Sequence, residues 1–145
     1  PSVDYDGFLK ATLAITRSMA DVEQAFRRMV FNVLARNRDD HVRQHAYLMD
    51  HRGNWRLAPA FDLTYSNGPG GEHYMAVQGE GRTITRTHIE ILGKSHGISV
   101  KTVSAIIDDV RSALADWPVH ARETGVTASL SIVSEGMASI AEHFD

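Results

Sequence analysis

From Met19 to Arg36, apolar side chains recur at spacings of three and four: Met19, Val22, Phe26, Met29, Val30, Val33 and Leu34 share one side, and Glu23, Arg27 and Arg28 take the other. That period predicts an amphipathic helix. A shorter stretch of the same kind, Phe8 to Arg17, precedes it, with Phe8, Leu9, Leu13 and Ile15 apolar. The pattern then breaks, because NRDDHVRQ (37–44) is polar and aperiodic and reads as a loop. A β-hairpin follows, His45 to Met49 and Trp55 to Leu57, joined by DHRGN, with Gly53 and Asn54 supplying the turn chemistry and Pro59 ending the second strand. SNGPGG (66–71) is turn material, and Tyr74 to Gln78 predicts one more short strand.

The second half returns to the helical period. Thr87 and Glu90 form a T-x-x-E capping box, predicting a helix that starts at Thr87 and stops near Gly93 or Gly97. Val103, Ile106, Ile107, Val110 and Leu114 predict another from Ser99 to Trp117, closed by Pro118. Val119 to Glu123 reads as a short helical turn ending at Gly125, and Thr127 to Phe144 as a last helix through Leu130, Val133, Met137, Ile140 and Ala141. Met29, Trp117 and Phe144 are expected in the core. With no internal repeat or obvious linker, one α-rich domain with a small β element is the economical reading, and 145 residues suffice to bury a core.

Composition narrows the class. Hydrophobic residues at 43% and charged residues at 23% are globular usage, and a formal net charge of −3 argues against a strongly basic nucleic-acid-binding domain. The absence of cysteine excludes disulfides and thiolate metal sites and suits a reducing cytoplasm. No apolar run is long enough to span a membrane, and no signal-peptide pattern is present. The start at Pro1, without methionine, reads as a piece of a longer protein.

Chemistry concentrates in two segments, the loop with Asp39, Asp40, His41, Arg43 and Gln44, and LAPAFDLTYS, where Asp62 is an acid among apolar neighbours. A helix, a polar loop, a tight hairpin and a returning acid bring Asp39 and Asp62 towards one another. Paired acids from two loops bind a divalent ion or divide the roles of base and ligand, and phosphoryl transfer is one chemistry that needs this set. The bland alternative is a capping or solvated Asp39 and a turn acid at Asp62. His41 and His45 stand four apart, but a zinc site needs more convergent ligands than these. SNGPGG lacks the order of a P-loop, and Arg27, Arg28, Arg36, Arg38 and Arg43 read mainly as a solvated face, with a role in holding phosphate or nucleic acid as the minority reading.

NRDDHVRQHAYLM, RLAPAFDLTYS and GPGGEHYMAVQG, in that order and spacing, resemble the HipA family of serine/threonine kinases. That family has an active-site loop like D-x-H-x-K-N, a metal acid in a P-x-Y/F-D segment and a later G-x-H-x-M stretch. The resemblance runs over essentially the whole chain and is most specific at residues 31–79. It implies a mainly α, protein-kinase-like C-terminal lobe with a small hairpin near the active site. By position, Asp39 matches the catalytic aspartate, His41 the loop histidine and Arg43 the place where the family often has lysine. Asp62 matches the acid that ligates Mg²⁺ beneath ATP. Gln44 departs from the usual asparagine, a second metal ligand, and sets the amide oxygen one methylene further out. Glu72 and His73 receive no role.

The resemblance further implies Mg²⁺–ATP-dependent phosphorylation of a protein, with a translation factor or tRNA synthetase as the kind of target. It also implies a toxin–antitoxin pairing with a HipB-like DNA-binding antitoxin, any DNA contact being weak or indirect. No glycine-rich cover or V-A-I-K-like strand is present, so the chain by itself is expected to be inactive. Two rivals stand beside this reading: a non-catalytic lobe that contacts an antitoxin or DNA, and a metal-dependent phosphohydrolase.

Overall fold

The computed structural model describes residues 3–142 and 144. Its elements are α1 (Tyr5–Thr16), α2 (Met19–Leu34), β1 (Tyr47–Met49), β2 (Trp55–Leu57), α3 (Arg86–Ser95), α4 (Val100–Ala115), α5 (Trp117–Glu123) and α6 (Leu130–Ala141). The fold is mainly helical with one small antiparallel hairpin.

Local chemistry sets most boundaries. The Asp4 carboxylate accepts the Gly7 N–H at 2.8 Å, so α1 begins three residues before the first predicted position. Ser18 caps α2 on the Asp21 N–H and Ser99 caps α4 on the Thr102 N–H. α3 starts before the expected Thr87, because Thr85 is the cap and the ring of His88 accepts its N–H at 3.1 Å. Glu90 cannot serve Thr87, since it pairs with Arg86 at 2.8 Å. The helix ends at Ser95, and Gly97 follows at φ +73°, a left-handed position that favours glycine. Pro118 opens α5 rather than merely closing α4, sitting in a first turn that needs no N–H.

α2 is the spine. Val22, Ala25, Phe26, Met29, Val30 and Val33 are buried, and the helix packs against α1, α4, α6 and β2. Phe8 and Leu9 of α1, Ile89 and Leu92 of α3, and Ile106 and Ile107 of α4 complete the core around it. Phe144 is fully buried there beyond the end of α6, which is shorter than expected. Trp117 departs from the core expectation: it is half-buried, with its indole N–H unpartnered.

The hairpin pairs Tyr47 with Leu57 and Met49 with Trp55. Its turn is tied by Asp50, whose carboxylate accepts the N–H groups of Arg52 and Asn54 at 2.8 and 2.9 Å. Tyr74 to Gln78 is not a strand. Gln78 and Gly79 both have positive φ, which turns the chain so that Val77 bridges only Glu80. The stretch instead docks on the start of α1, where the Ala76 carbonyl accepts the Tyr5 N–H at 3.1 Å.

Candidate active site

The loop that leaves α2 is fixed at both ends. Asn37 bridges Ser66, with the Ser66 N–H donating to the Arg36 carbonyl at 2.9 Å and the Arg38 N–H to the Ser66 carbonyl at 3.3 Å. This pairing joins the segment carrying Asp39 to the segment that follows Asp62. A single 3₁₀ turn, Val42–Gln44, then leaves Arg43 exposed and turns Gln44 towards Asp62. The Gln44 amide donates to the Asp62 carboxylate at 2.5 Å. Asp62 itself is exposed and lies at φ 52°, a left-handed conformation that aspartate tolerates better than most residues and that concentrates at functional sites.

Asp39 projects to solvent, its side chain 44% exposed and its Oδ1 3.7 Å from the Nε2 of His41. The His41 ring meets the Tyr74 ring edge-on at 5.5 Å between centroids, which orients the imidazole. The expected site residues thus fall into one linked pair, Gln44 with Asp62, and one neighbouring pair, Asp39 with His41. Arg43 joins neither. Arg43 and Asp62 are exposed, while Asp39, His41 and Gln44 are half-buried.

Beneath that surface lies a network that sequence reasoning missed. Asp40 is fully buried, and its Oδ2 accepts the Tyr5 hydroxyl at 2.6 Å and faces the Nδ1 of His73 at 2.8 Å. Its Oδ1 accepts the Tyr74 N–H at 2.9 Å. The Tyr5 hydroxyl in turn accepts from the Asn32 amide at 3.0 Å, and Asn32 Oδ1 accepts from Asn37 at 3.0 Å. Burial, and next the Asp40 charge, push the Tyr5 phenol well above its ordinary pKa, which keeps it a donor. His73 therefore has a role after all: it clamps the aspartate next to Asp39.

The basic cluster is also corrected. Arg28 is buried, not solvated, and donates to the Ala58 carbonyl at 2.7 Å. His45 lies beside it, stacked on Phe8 at 4.0 Å between centroids. Burial, with the Arg28 charge, lowers the His45 pKa to about 4, so the ring is neutral at neutral pH. Arg38 is almost as buried as Arg28, while Arg27 pairs with Asp109 at 3.0 Å on the surface.

A metal at Asp62 has the oxygen donors that Mg²⁺ prefers, a carboxylate and an amide carbonyl. The Gln44 amide presents its nitrogen to Asp62, and a half-turn of the amide puts its oxygen there. Among the described residues, no group of three His, Cys, Asp or Glu side chains converges as a metal site.

No curated protein matches the sequence. A chain of the solved complex "Shewanella oneidensis MR-1 Toxin Antitoxin System HipA, HipB and its operator DNA" has the same fold, with a TM-score of 0.71 at 16% identity. The match covers 96% of this chain and 34% of that one, so this chain spans about a third of that length. The family model of the HipA-like C-terminal domain matches residues 2–117. On the strength of that match and of the shared fold, the chain belongs to the HipA-like C-terminal domain family.

Proposed function

We propose that this domain is the catalytic lobe of a serine/threonine protein kinase, whose full-length form moves the γ-phosphoryl group of ATP to a protein hydroxyl. The observation that carries the reading is the meeting of Gln44 and Asp62 at 2.5 Å, on the loop that also presents Asp39 to solvent. In the proposed reaction the substrate oxygen bonds to the γ-phosphorus and the bond to the β–γ bridging oxygen breaks. That electron pair leaves with ADP, and the hydroxyl proton passes to the Asp39 carboxylate. His41 shapes the loop around Asp39, and exposed Arg43 supplies positive charge to the phosphoryl oxygens. Asp62 and Gln44 would hold Mg²⁺, which offsets phosphate charge when bound.

The solved complex of HipA, HipB and operator DNA supports a partner of the same kind, a HipB-like DNA-binding antitoxin. A translation factor or tRNA synthetase is the kind of target the family suggests. No helix of the described residues is long and apolar enough to cross a membrane, and a cytoplasmic setting belongs to the same proposal.

Labelled Mg²⁺–ATP, the full-length protein and its Asp39→Ala variant test the reading. Label on a serine or threonine, lost in the variant, is the expected result. No label from either folded protein, with acceptor proteins supplied, would overturn it. A second reading, a non-catalytic lobe that binds an antitoxin or DNA, is favoured by one observation: Gln44 stands where the family usually has asparagine and sets its amide oxygen one methylene further out.

A further inference from the structure

A cleft of about 400 Å³ opens between the end of α2, the Gly71 turn and α6, and its wall includes Arg36, Arg38, His73, Arg82, Ser139 and Glu142. Three arginines thus line one concavity. Arg82 pairs with Glu72 at 3.0 Å in an exposed geometry. Arg36 lies over the Tyr65 ring, 5.9 Å from its centroid, and Arg38 donates to the Arg82 carbonyl at 3.1 Å. Neither contact neutralises a charge, and no ion pair among the described residues involves Arg36 or Arg38.

Arg38 is only 9% exposed, and its Nε, like that of Arg36, is buried without a partner. The arginine tips converge on Gly71: a β-carbon there would lie 3.7 Å from Arg82 Nη1 and 3.8 Å from Arg38 Nη1. Burial first, and then the charges of Arg36 and Arg82, lower the Arg38 pKa, against a smaller opposing pull from Tyr65 and Asp40. Glu142 is the one acid among the lining residues, and His73 is already committed to Asp40.

We propose that this cleft binds a phosphate group, either free phosphate or a phosphate monoester, at a site separate from the Asp39–Asp62 surface. A tetrahedral dianion can accept from several planar guanidinium forks at once, whereas a lone carboxylate is satisfied by one. The inference stands on these arginines and does not depend on kinase activity.

The test is isothermal titration of the full-length protein with inorganic phosphate and with O-phosphoserine. EDTA is included so that phosphate held through a divalent ion does not register, and chloride keeps the ionic strength equal. The variants are Arg36→Gln and Arg82→Gln, at half-buried and exposed side chains respectively, which spares the inner Arg38. Millimolar or tighter binding is expected, weakened about tenfold by each variant. Tighter binding of phosphoserine identifies a monoester as the ligand, tighter binding of phosphate identifies the free ion, and equal affinities show a site that reads the phosphate group alone. No heat from either ligand at about 10 mM, where a millimolar site would be well occupied, overturns the proposal. Variants that bind as tightly as the parent overturn it too.

Discussion

Asp39 and Asp40 share a peptide bond, yet the Asp39 side chain is 44% exposed and the Asp40 side chain 0%. One face of the loop is open and carries Asp39, Arg43 and, across from Gln44, Asp62. The other face is sealed by Tyr5, Asn32, His73 and the N–H of Tyr74. An exposed loop loses conformational entropy when it orders, and a reacting carboxylate has to stay accessible. Under the proposed function the two demands are divided between adjacent residues. A buried aspartate, bonded on both oxygens, holds the backbone in place, so that its neighbour can face solvent without drifting.

If that division is right, the sealed face governs stability and the open face governs activity. Asp40→Ala should produce the largest effect, a loss of about 3–5 kcal/mol, because it strands the partners of a buried charge. Asp39→Ala should leave stability within about 0.5 kcal/mol. Urea unfolding of both variants checks the contrast. Equal losses would mean that the two faces do not differ in the way described. Asp40→Asn, which retains an acceptor for the Tyr74 N–H, should recover part of the loss.

The next effect is set by pH and acts on the sealed side. His45 titrates at about 4 in the fold, against an ordinary value of 6.5. As pH falls from 6.5 to 4, the unfolded chain takes up a proton that the folded chain refuses. Folding therefore loses stability through that window, by at most about 3 kcal/mol, and this group adds no further loss below it. His45→Phe keeps a ring on Phe8 and removes the titration. The stability difference between variant and parent should shift in the variant's favour from pH 7 to pH 4.5. A constant difference would show that His45 is not the group responsible.

How much of this was legible in the sequence depended on the range of the cause. α2 and α4 follow from a period visible in a short window, and the hairpin from Gly53, Asn54 and Pro59. Element order brought the Asp39 loop towards Asp62, and the structure joins the two segments through Gln44, because only a tight hairpin separates them. The start of α3 failed because Thr85 and Thr87 both offer a cap, and His88, not Glu90, settles the choice. The Asp40 clamp was not legible, since residues 5, 32, 40 and 73 sit on separate segments that only the tertiary fold unites. The doublet Asp39–Asp40 was the one available signal: adjacent acids in a folded loop seldom face the same way. Arg28 failed for a related reason, because the helical period marks a polar side but does not say what later packs over it.

A smaller effect probes the sealed face by one atom. Tyr5→Phe keeps the ring, removes the donor to Asp40 and removes the acceptor for Asn32. A loss of about 1–2 kcal/mol is expected. If the proposed kinase reading holds and the hydroxyl steadies the loop, kcat of the full-length protein falls while KM for ATP holds. A purely structural hydroxyl would lower stability and leave kcat unchanged.

The smallest effect lies on the open face, at Gln44. Its side chain reaches Asp62 with the amide nitrogen, and an oxygen brought inward by a half-turn would sit one methylene further from the loop than an asparagine oxygen. Mg²⁺ accepts little deviation from octahedral geometry at roughly 2.0–2.1 Å, so the longer arm either crowds the ion or gives way to a water. Gln44→Asn shortens the arm and frees Asp62 from the amide N–H. The expected result is a gain of about fivefold in Mg²⁺-dependent ATP affinity of the full-length protein, ~1 kcal/mol, with ATP binding in EDTA unchanged. A gain that persists in EDTA would place the effect on the nucleotide instead of the metal. No gain in either condition, with the variant folded and the Asp39→Ala control inactive, would mean that Gln44 is a brace for Asp62 and takes no part in holding the proposed metal.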